Sequence, residues 1–322
     1  MKNKKLLLPS TAAFAVLALI PLLGFNNYYM TIFCQALIYS IIVLGLNFIT
    51  GMTGQMNMGN AAVFGLGAYS SALLITKAGA SPWLGLALAA LVGVAVGYLL
   101  GYPSLRVKGV YLSLTTIVFN EIVRLCLNNS SFTGGTSGIR KIARFHLFGY
   151  VIKSARQNYY FFLIVLILFV LVSYKLIHSK YGRAFIAIRD NIDAVETCGL
   201  NLANLKIKAF VLSTVYGAIA GALYASFVGY ISPSTYTTDL SISFVVMLIL
   251  GGRGSIVGCI LGAFIVAFAP ELLRFTGDYY KLIYGLIIML AIIFNPNGLV
   301  SLKNVFAKRR GKGGLAHGNQ HD

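Results

Sequence analysis

The 322 residues are 58% hydrophobic and only 11% charged, with a mean hydropathy of +0.80, which excludes a water-soluble domain of this length. Twenty-six Lys and Arg against eight Asp and Glu give a formal net charge of +18, and basic residues flanking membrane spans account for that excess better than a nucleic-acid surface does. Apolar runs long enough to cross a bilayer as helices, about 20 residues each, recur from end to end, so the chain reads as an all-α polytopic membrane protein whose single domain covers 1–322.

The first run, Leu6 to Phe25, follows Lys2, Lys4 and Lys5. No clear small-x-small cleavage site precedes Asn26-Asn27, and further spans follow, so an uncleaved first helix is expected. Further spans are predicted near 31–50, 56–76, 83–101, 109–128, 159–177, 209–229, 240–252, 256–272 and 280–294, about ten in all. An even number places both termini on one side. With the termini inside, seventeen of the 26 basic residues fall on the inner side, which the positive-inside rule favours. The loop 129–158 runs against this, with Arg140, Lys141, Arg144, Lys153 and Arg156 on the outer face. Tyr28-Tyr29, Trp83, Tyr159-Tyr160 and Tyr279-Tyr280 each open an outside-to-inside span, at the headgroup level where Tyr and Trp are enriched.

The third predicted span begins in "GMTGQMNMGNAAVFGLGAY", with glycines at 51, 54, 59, 65 and 67. Glycine permits both close helix packing and unwinding where a backbone lines a cavity. The polar neighbours Gln55 and Asn57 make Gly51, Gly54, Gln55, Asn57 and Gly59 candidates for a translocation path, with helix packing as the competing reading. Gly93, Gly97 and Gly101, then Gly217 with Gly221 and Gly258 with Gly262, have the spacing of plain packing faces. In the fifth span Glu121 and Arg124 share a helix side; they are either a structural ion pair near the outer interface or part of a watery lining, and Glu121 joins the candidate path residues. "GGRGSIVGCILGAF", from 251, is a short echo of the first glycine cluster. Cys34, Cys126, Cys198 and Cys259 lack metal-type spacing and read as small packing residues.

The polar stretch 178–208 differs from everything around it. Asp190 is expected to cap a helix from Asn191 to Cys198, with Asp193 in its first turn and Gly199 as its stop. Such a helix has about two turns and is ~12 Å long, too short to span. Asp190, Asp193 and Glu196 would share one face, with Ile192, Val195 and Leu200 supplying apolar contacts. Arg183 and Arg189 on one side and Lys206 and Lys208 on the other would hold it at the cytoplasmic surface, as an exposed acidic docking face.

No nucleotide-binding G-x-x-x-x-G-K-[ST] loop occurs, the eight acids include no adjacent pair, and His146, His178, His317 and His321 are scattered. No catalytic cluster and no cofactor site are expected, so the chain reads as a non-enzyme.

The segment "YGRAFIAIRDNIDAVETCGLNLANLKIKAFVLS" resembles the cytoplasmic loop of the permease subunits of branched-chain amino acid ABC importers, the LivM/LivH type. "GMTGQMNMGNAAVFGLGAY", "GYISPSTYTTDLSISFVVMLILGGRGSIVGCILGA" and "LIYGLIIMLAIIFNPNGL" are similar to that family too, so the resemblance covers most of the chain from about residue 36 to 300. It implies that Asp193 to Gly199 contacts an ATPase, within a coupling loop that includes Arg183, Arg189, Asp190, Asp193, Ala194, Glu196 and Gly199. The family's usual Glu-Ala-Ala run is Asp193-Ala194-Val195 here, with Glu196 following, so the contact falls to either carboxylate.

The resemblance further implies a bacterial inner-membrane permease with a cytoplasmic tail over 301–322. Its partners would be a homologous permease, two cytoplasmic ATPases that bind the ATP, and an extracytoplasmic binding protein that delivers a hydrophobic amino acid. A urea or short-chain amide permease of the same superfamily is the alternative. An ion-coupled secondary transporter would need mid-bilayer ionisable residues, of which the spans hold almost none besides Glu121 and Arg124.

Overall fold

The computed structural model describes residues 26–274 except 108, 148, 149 and 153, together with Pro21 and isolated positions from 279 to 298. In chain order, α1 (Asn27–Leu46) runs into a π-helical turn (Asn47–Met52), followed by α2 (Asn60–Ala78), α3 (Pro82–Gly101), the single turn α4 (Pro103–Arg106) and α5 (Val110–Asn129). Then come β1 (Ile139–Arg140), β2 (His146–Leu147), β3 (Tyr150–Val151), α6 (Ala155–Ile177), α7 (Lys180–Asp190), α8 (Ile192–Thr197) and α9 (Leu202–Val228). The described part closes with β4 (Tyr230–Ile231), α10 (Thr238–Gly251) and α11 (Ile256–Leu272).

Among the described residues, six helical segments are long and apolar enough to cross a membrane: Asn27–Met52, Asn60–Ala78, Pro82–Arg106, Val110–Asn129, Ala155–Ile177 and Leu202–Val228. Their ends follow local rules. Ser81 caps α3 ahead of Pro82, Ser154 and Gln157 form a capping box on α6, and Gly79 and Gly229 close α2 and α9 at φ 61° and 75°. The expected spans 240–252 and 256–272 are helices too, but α10 has 14 residues. At 1.5 Å per residue it rises ~21 Å, short of the ~30 Å hydrocarbon layer, and it forms a hairpin with α11. The spans expected at 6–25 and 280–294, and the tail 301–322, lie outside the described residues.

Contacts between ends reproduce the expected alternation. At one end Tyr28 donates to Glu271, Lys77 to the Phe132 carbonyl and the Trp83 indole to the His146 carbonyl, at 2.7, 2.8 and 3.1 Å. At the other, the end of α1 meets α7 and the α10–α11 turn. The loop 129–158 departs from a purely helical picture: β1 pairs antiparallel with β4 (Ile139 opposite Ile231), and β2 with β3. Arg140 lies 5.4 Å from the Tyr230 ring, a local partner for one of the basic residues that weighed against the topology.

The long α9 runs through the middle and packs on α1, α2 and α3. Glycine makes this possible: a methyl group at Gly67 would overlap the backbone of Ala218, and one at Gly221 the Phe64 carbonyl. Gly93 and Gly97 lie against Thr214 and Val211, and Gly262 against the Met247 carbonyl. The packing faces read from the spacing are therefore packing faces, and the last two glycines of the first cluster, Gly65 and Gly67, belong with them. Two readings need correction. Cys34 and Cys259 are buried but Cys126 and Cys198 are exposed. Tyr159 is fully buried against Phe33, whereas Tyr28, Tyr29, Trp83, Tyr160 and Tyr279 are exposed, and Tyr280 lies outside the described residues.

Candidate coupling and translocation site

Ser179 caps α7, accepting from the Tyr181 amide at 3.1 Å, and Gly182, Phe185 and Ile188 bury one face at three-residue spacing. That face keeps the chain helical through Asp190, so the break falls one residue later than expected. Asn191, extended at φ −158°, is the cap of α8, and its Oδ1 accepts from the Ala194 amide at 3.1 Å. Asp190 ends α7 and pairs with Arg189 at 3.3 Å, so it does not share a helix face with Asp193 and Glu196. The helix α8 has six residues, ~9 Å.

Gly199 stops α8 at φ 72°. Its amide donates to the Glu196 carbonyl and the Leu200 amide to the Val195 carbonyl, the paired bonds of a Schellman ending. Val195 is buried and anchors the helix, whereas Asp193, Ala194 and Glu196 are exposed. Leu200, expected to supply an apolar contact, is exposed.

Arg189 turns inward. Its Nη1 donates to the Gly51 carbonyl at 3.1 Å, and its stem fills the space beside Gly54, where a Cβ would sit 2.9 Å from Arg189 Cγ. Gly54 has φ +73°, a conformation that glycine adopts without strain. Within the same π-helical turn Asn47 Oδ1 accepts from the Gly254 amide at 2.8 Å, joining the end of α1 to the α10–α11 turn. A cavity of about 220 Å³ opens beside this junction, lined by Thr53, Gln55, Leu112, Ile188, Arg189 and Lys206 among others. Both polar atoms of the Gln55 amide are buried and lack a hydrogen-bond partner among the described residues.

From Thr53 to Gly59 the chain is not helical, and α2 starts at Asn60 rather than 56. This segment is held by buried polar side chains. Asn57 Oδ1 accepts from the Gly59 amide at 2.9 Å, Asn57 Nδ2 donates to Asn60 Oδ1 at 3.3 Å, and Asn60 Nδ2 donates to the Asn57 carbonyl at 2.9 Å. The Met58 amide donates to Thr116 of α5 at 3.0 Å and the Ala61 amide to Ser241 of α10 at 2.8 Å. Ser241 also donates to Asn120 at 3.4 Å. Because Ser241 stands ten residues before Gly251, α2 starts ~15 Å of helix rise from the end where α1 finishes. Non-helical backbone at such depth is tolerated only inside protein or beside a cavity.

The structure thus brings Gly51, Gly54 and Gln55 together with Arg189, places Asn57 and Gly59 farther along the same non-helical segment beside Asn60 and Thr116, and leaves Glu121 apart. Arg124 Nε donates to both Glu121 oxygens at 3.1 and 3.0 Å and Nη2 donates to Oε1, but this pair lies on the partly exposed side of α5, away from Asn120. Asn47, Asn60, Thr116, Asn120, Ser241 and Gly254 were not among the sequence candidates. Polar side chains inside apolar runs were the signal that marks the first five; Gly254 acts through its backbone amide. Among the described residues no group of three His, Cys, Asp or Glu could hold a metal.

The family described as branched-chain amino acid transport system / permease component matches residues 28–292. The chain is 35% identical to the high-affinity branched-chain amino acid transport system permease protein LivM of Salmonella typhimurium, over 89% of this chain and 72% of the relative. It is 26% identical to the probable LivM permease of Methanocaldococcus jannaschii, over 81% and 78%. The same figure, 26%, holds for the autoinducer 2 import system permease LsrC of Yersinia enterocolitica, over 88% and 81%. No solved structure matches. The broken span, the glycine-packed bundle and the short capped helix lie within the matched residues, and the chain belongs to the branched-chain amino acid transport system permease family.

Proposed function

We propose that this chain is the membrane-spanning subunit of an ABC importer that moves branched-chain amino acids into the cytoplasm, with the energy supplied by separate ATPase subunits. The observation that carries the reading is the near full-length similarity to LivM at 35% identity, higher than the 26% to the autoinducer 2 permease. The substrate reaches the permease from an extracytoplasmic binding protein, and ATP is bound by two cytoplasmic ATPases. A second permease subunit completes the path. The likeness to LivM favours this reading over a urea permease of the same superfamily and over an ion-coupled transporter.

The end that carries α7 and α8 is cytoplasmic in this reading, and with it both termini, in the bacterial inner membrane. Arg106, Lys175, Lys180, Arg183, Arg189, Lys206, Lys208 and Arg253 support that orientation by the positive-inside rule. Asp193, Ala194 and Glu196 are the ATPase contact, since they form the exposed side of a helix anchored by Val195, with Ile192 packed partly buried beside it. Closure of the ATPases on ATP moves α8 and α7 together. The segment 51–59 borders the path on its cytoplasmic side. Glu121, with Arg124, borders it from α5, whose exposed Val110, Leu114, Val118 and Ile122 face the second permease. A half-exposed ion pair in a span is costly against lipid, which favours a protein or watery neighbour.

The test is ATP-driven uptake into proteoliposomes that contain the chain with its partner permease, ATPases and binding protein. Labelled leucine should accumulate and be competed by isoleucine and valine. Accumulation of urea in its place, or leucine uptake that needs an ion gradient and no ATP, overturns the proposal.

A further inference from the structure

We propose that Arg189 is a positioning residue that clamps the coupling helices to the broken span, so that movement of α7 and α8 is transmitted through Gly51 and Asn47 to the α10–α11 turn. The inference rests on the reading of α8 as the ATPase contact and names the route beyond it. Three contacts in series define that route: Arg189 Nη1 to the Gly51 carbonyl at 3.1 Å, the Arg189 stem against Gly54, and Asn47 Oδ1 to the Gly254 amide at 2.8 Å.

Each contact has a physical reason to be specific. Gly51 lies in the last turn of the first described span, where carbonyls lack intrahelical partners and carry the negative end of the helix dipole, so a guanidinium there is a charge-assisted cap. The cap is delivered by a residue 138 positions away in sequence, from the last turn of α7, whose Ile188 is also buried against the bundle. The turn itself is π-helical, a departure that recurs at functional sites. A Cβ on Gly51 would overlap the Asn47 amide and lie 3.0 Å from the Gly254 nitrogen, so the turn and the hairpin meet with no spare room. Beyond the junction the chain runs directly into the non-helical 53–59 segment. A displacement of Arg189 is therefore applied at the point where α1 gives way to the path-lining segment, and not to the middle of a rigid helix.

The experiment uses the complete complex in proteoliposomes and reads leucine transported per ATP hydrolysed, the stimulation of hydrolysis by leucine-loaded binding protein, copurification of the ATPases, and thermal unfolding. Arg189→Ala should keep the ATPases bound but lower transport per ATP about tenfold or more, the scale of one lost charge-assisted hydrogen bond. Arg189→Lys should restore part of it, since an ammonium can reach one carbonyl but lacks the fork. Asn47→Ala should have a similar effect, and the double variant should be no worse than either single, the mark of links in one series. Gly54→Ala displaces the arginine stem while keeping its charge, and should also uncouple, which keeps the test open if Arg189→Ala unfolds. Wild-type transport per ATP in Arg189→Ala and Gly54→Ala, or multiplying losses in the double variant, overturns the clamp. Failure of the wild-type chain to hold the ATPases overturns the importer reading, and the clamp with it.

Discussion

Replacing Asn57 with alanine isolates what the buried polar network does. Asn57 is fully buried, and its side chain makes two bonds: Oδ1 accepts from the Gly59 amide at 2.9 Å and Nδ2 donates to Asn60 Oδ1 at 3.3 Å. Alanine removes both and leaves an amide N–H and a carboxamide oxygen without those partners. A buried group stripped of its partner costs ~1–3 kcal/mol, so the pair amounts to ~2–4 kcal/mol once coupling between them is allowed for. At 1.4 kcal/mol per decade this shifts the balance between the ordered and a loosened 53–59 segment by about thirtyfold to several hundredfold. Whole-domain stability is ~5–15 kcal/mol, so the bundle should survive.

Hydrogen exchange across 53–59 and ATP-driven uptake, measured on the same preparation, give the readout. Exchange in that segment should accelerate and uptake should fall, while α9 stays protected and the ATPases still copurify. Ser243→Ala is the control: it removes a bond of 2.9 Å to the Asp239 carbonyl on an exposed face and should stay within about 0.5 kcal/mol of the parent. Exchange and uptake in Asn57→Ala that match the parent would refute the claim that these bonds hold the segment.

Reversing Asp193 and Glu196 to lysine should remove the attraction to a basic ATPase surface, an effect of ~1–3 kcal/mol; pull-down of the ATPases reads the loss, and undiminished binding returns α8 to a plain surface helix. Gly221→Leu drives a side chain into the Phe64 carbonyl and should lower thermal stability by ~1–3 kcal/mol or more, whereas unchanged unfolding would show that α2 and α9 separate freely. Cys198 is an exposed thiol beside the docking helix, so a membrane-impermeant maleimide should label it in inverted vesicles and not in intact cells; the opposite pattern reverses the topology.

The helices were legible because bilayer thickness fixes the length of an apolar run, and eight predicted spans coincide with helices among the described residues. The boundary inside 178–208 was not. Asp190 and Asn191 are comparable caps in isolation, and the choice is made by Phe185 and Ile188, whose burial keeps α7 wound for one residue more. The same face hid α7 itself: its apolar residues at three-residue spacing are diluted by Tyr181, Arg183 and Arg189, so the stretch read as polar flanks of one short helix. The junction around Gly51 was out of reach for a different reason. The bonds from Met58 to Thr116, Ala61 to Ser241 and Gly254 to Asn47 join residues 58, 180 and 207 positions apart, and no periodicity within one segment reports such pairings.

One part of that junction was nevertheless implicit in composition. A chain that unwinds at membrane depth must supply acceptors and donors for its freed backbone, because lipid offers none. Such groups come at the expense of apolar residues, so a break should be visible as polar side chains gathered on whichever spans surround it. Asn57 and Asn60 stand next to the break, while Thr116, Asn120 and Ser241 sit on α5 and α10, each buried and each within apolar sequence. The glycines alone could not distinguish packing from unwinding, and the structure divides them: Gly65 and Gly67 pack, Gly54 turns the backbone at φ +73°. It is the placement of the asparagines relative to each glycine that carries the distinction, since packing needs only a missing side chain and an unwound backbone needs partners as well.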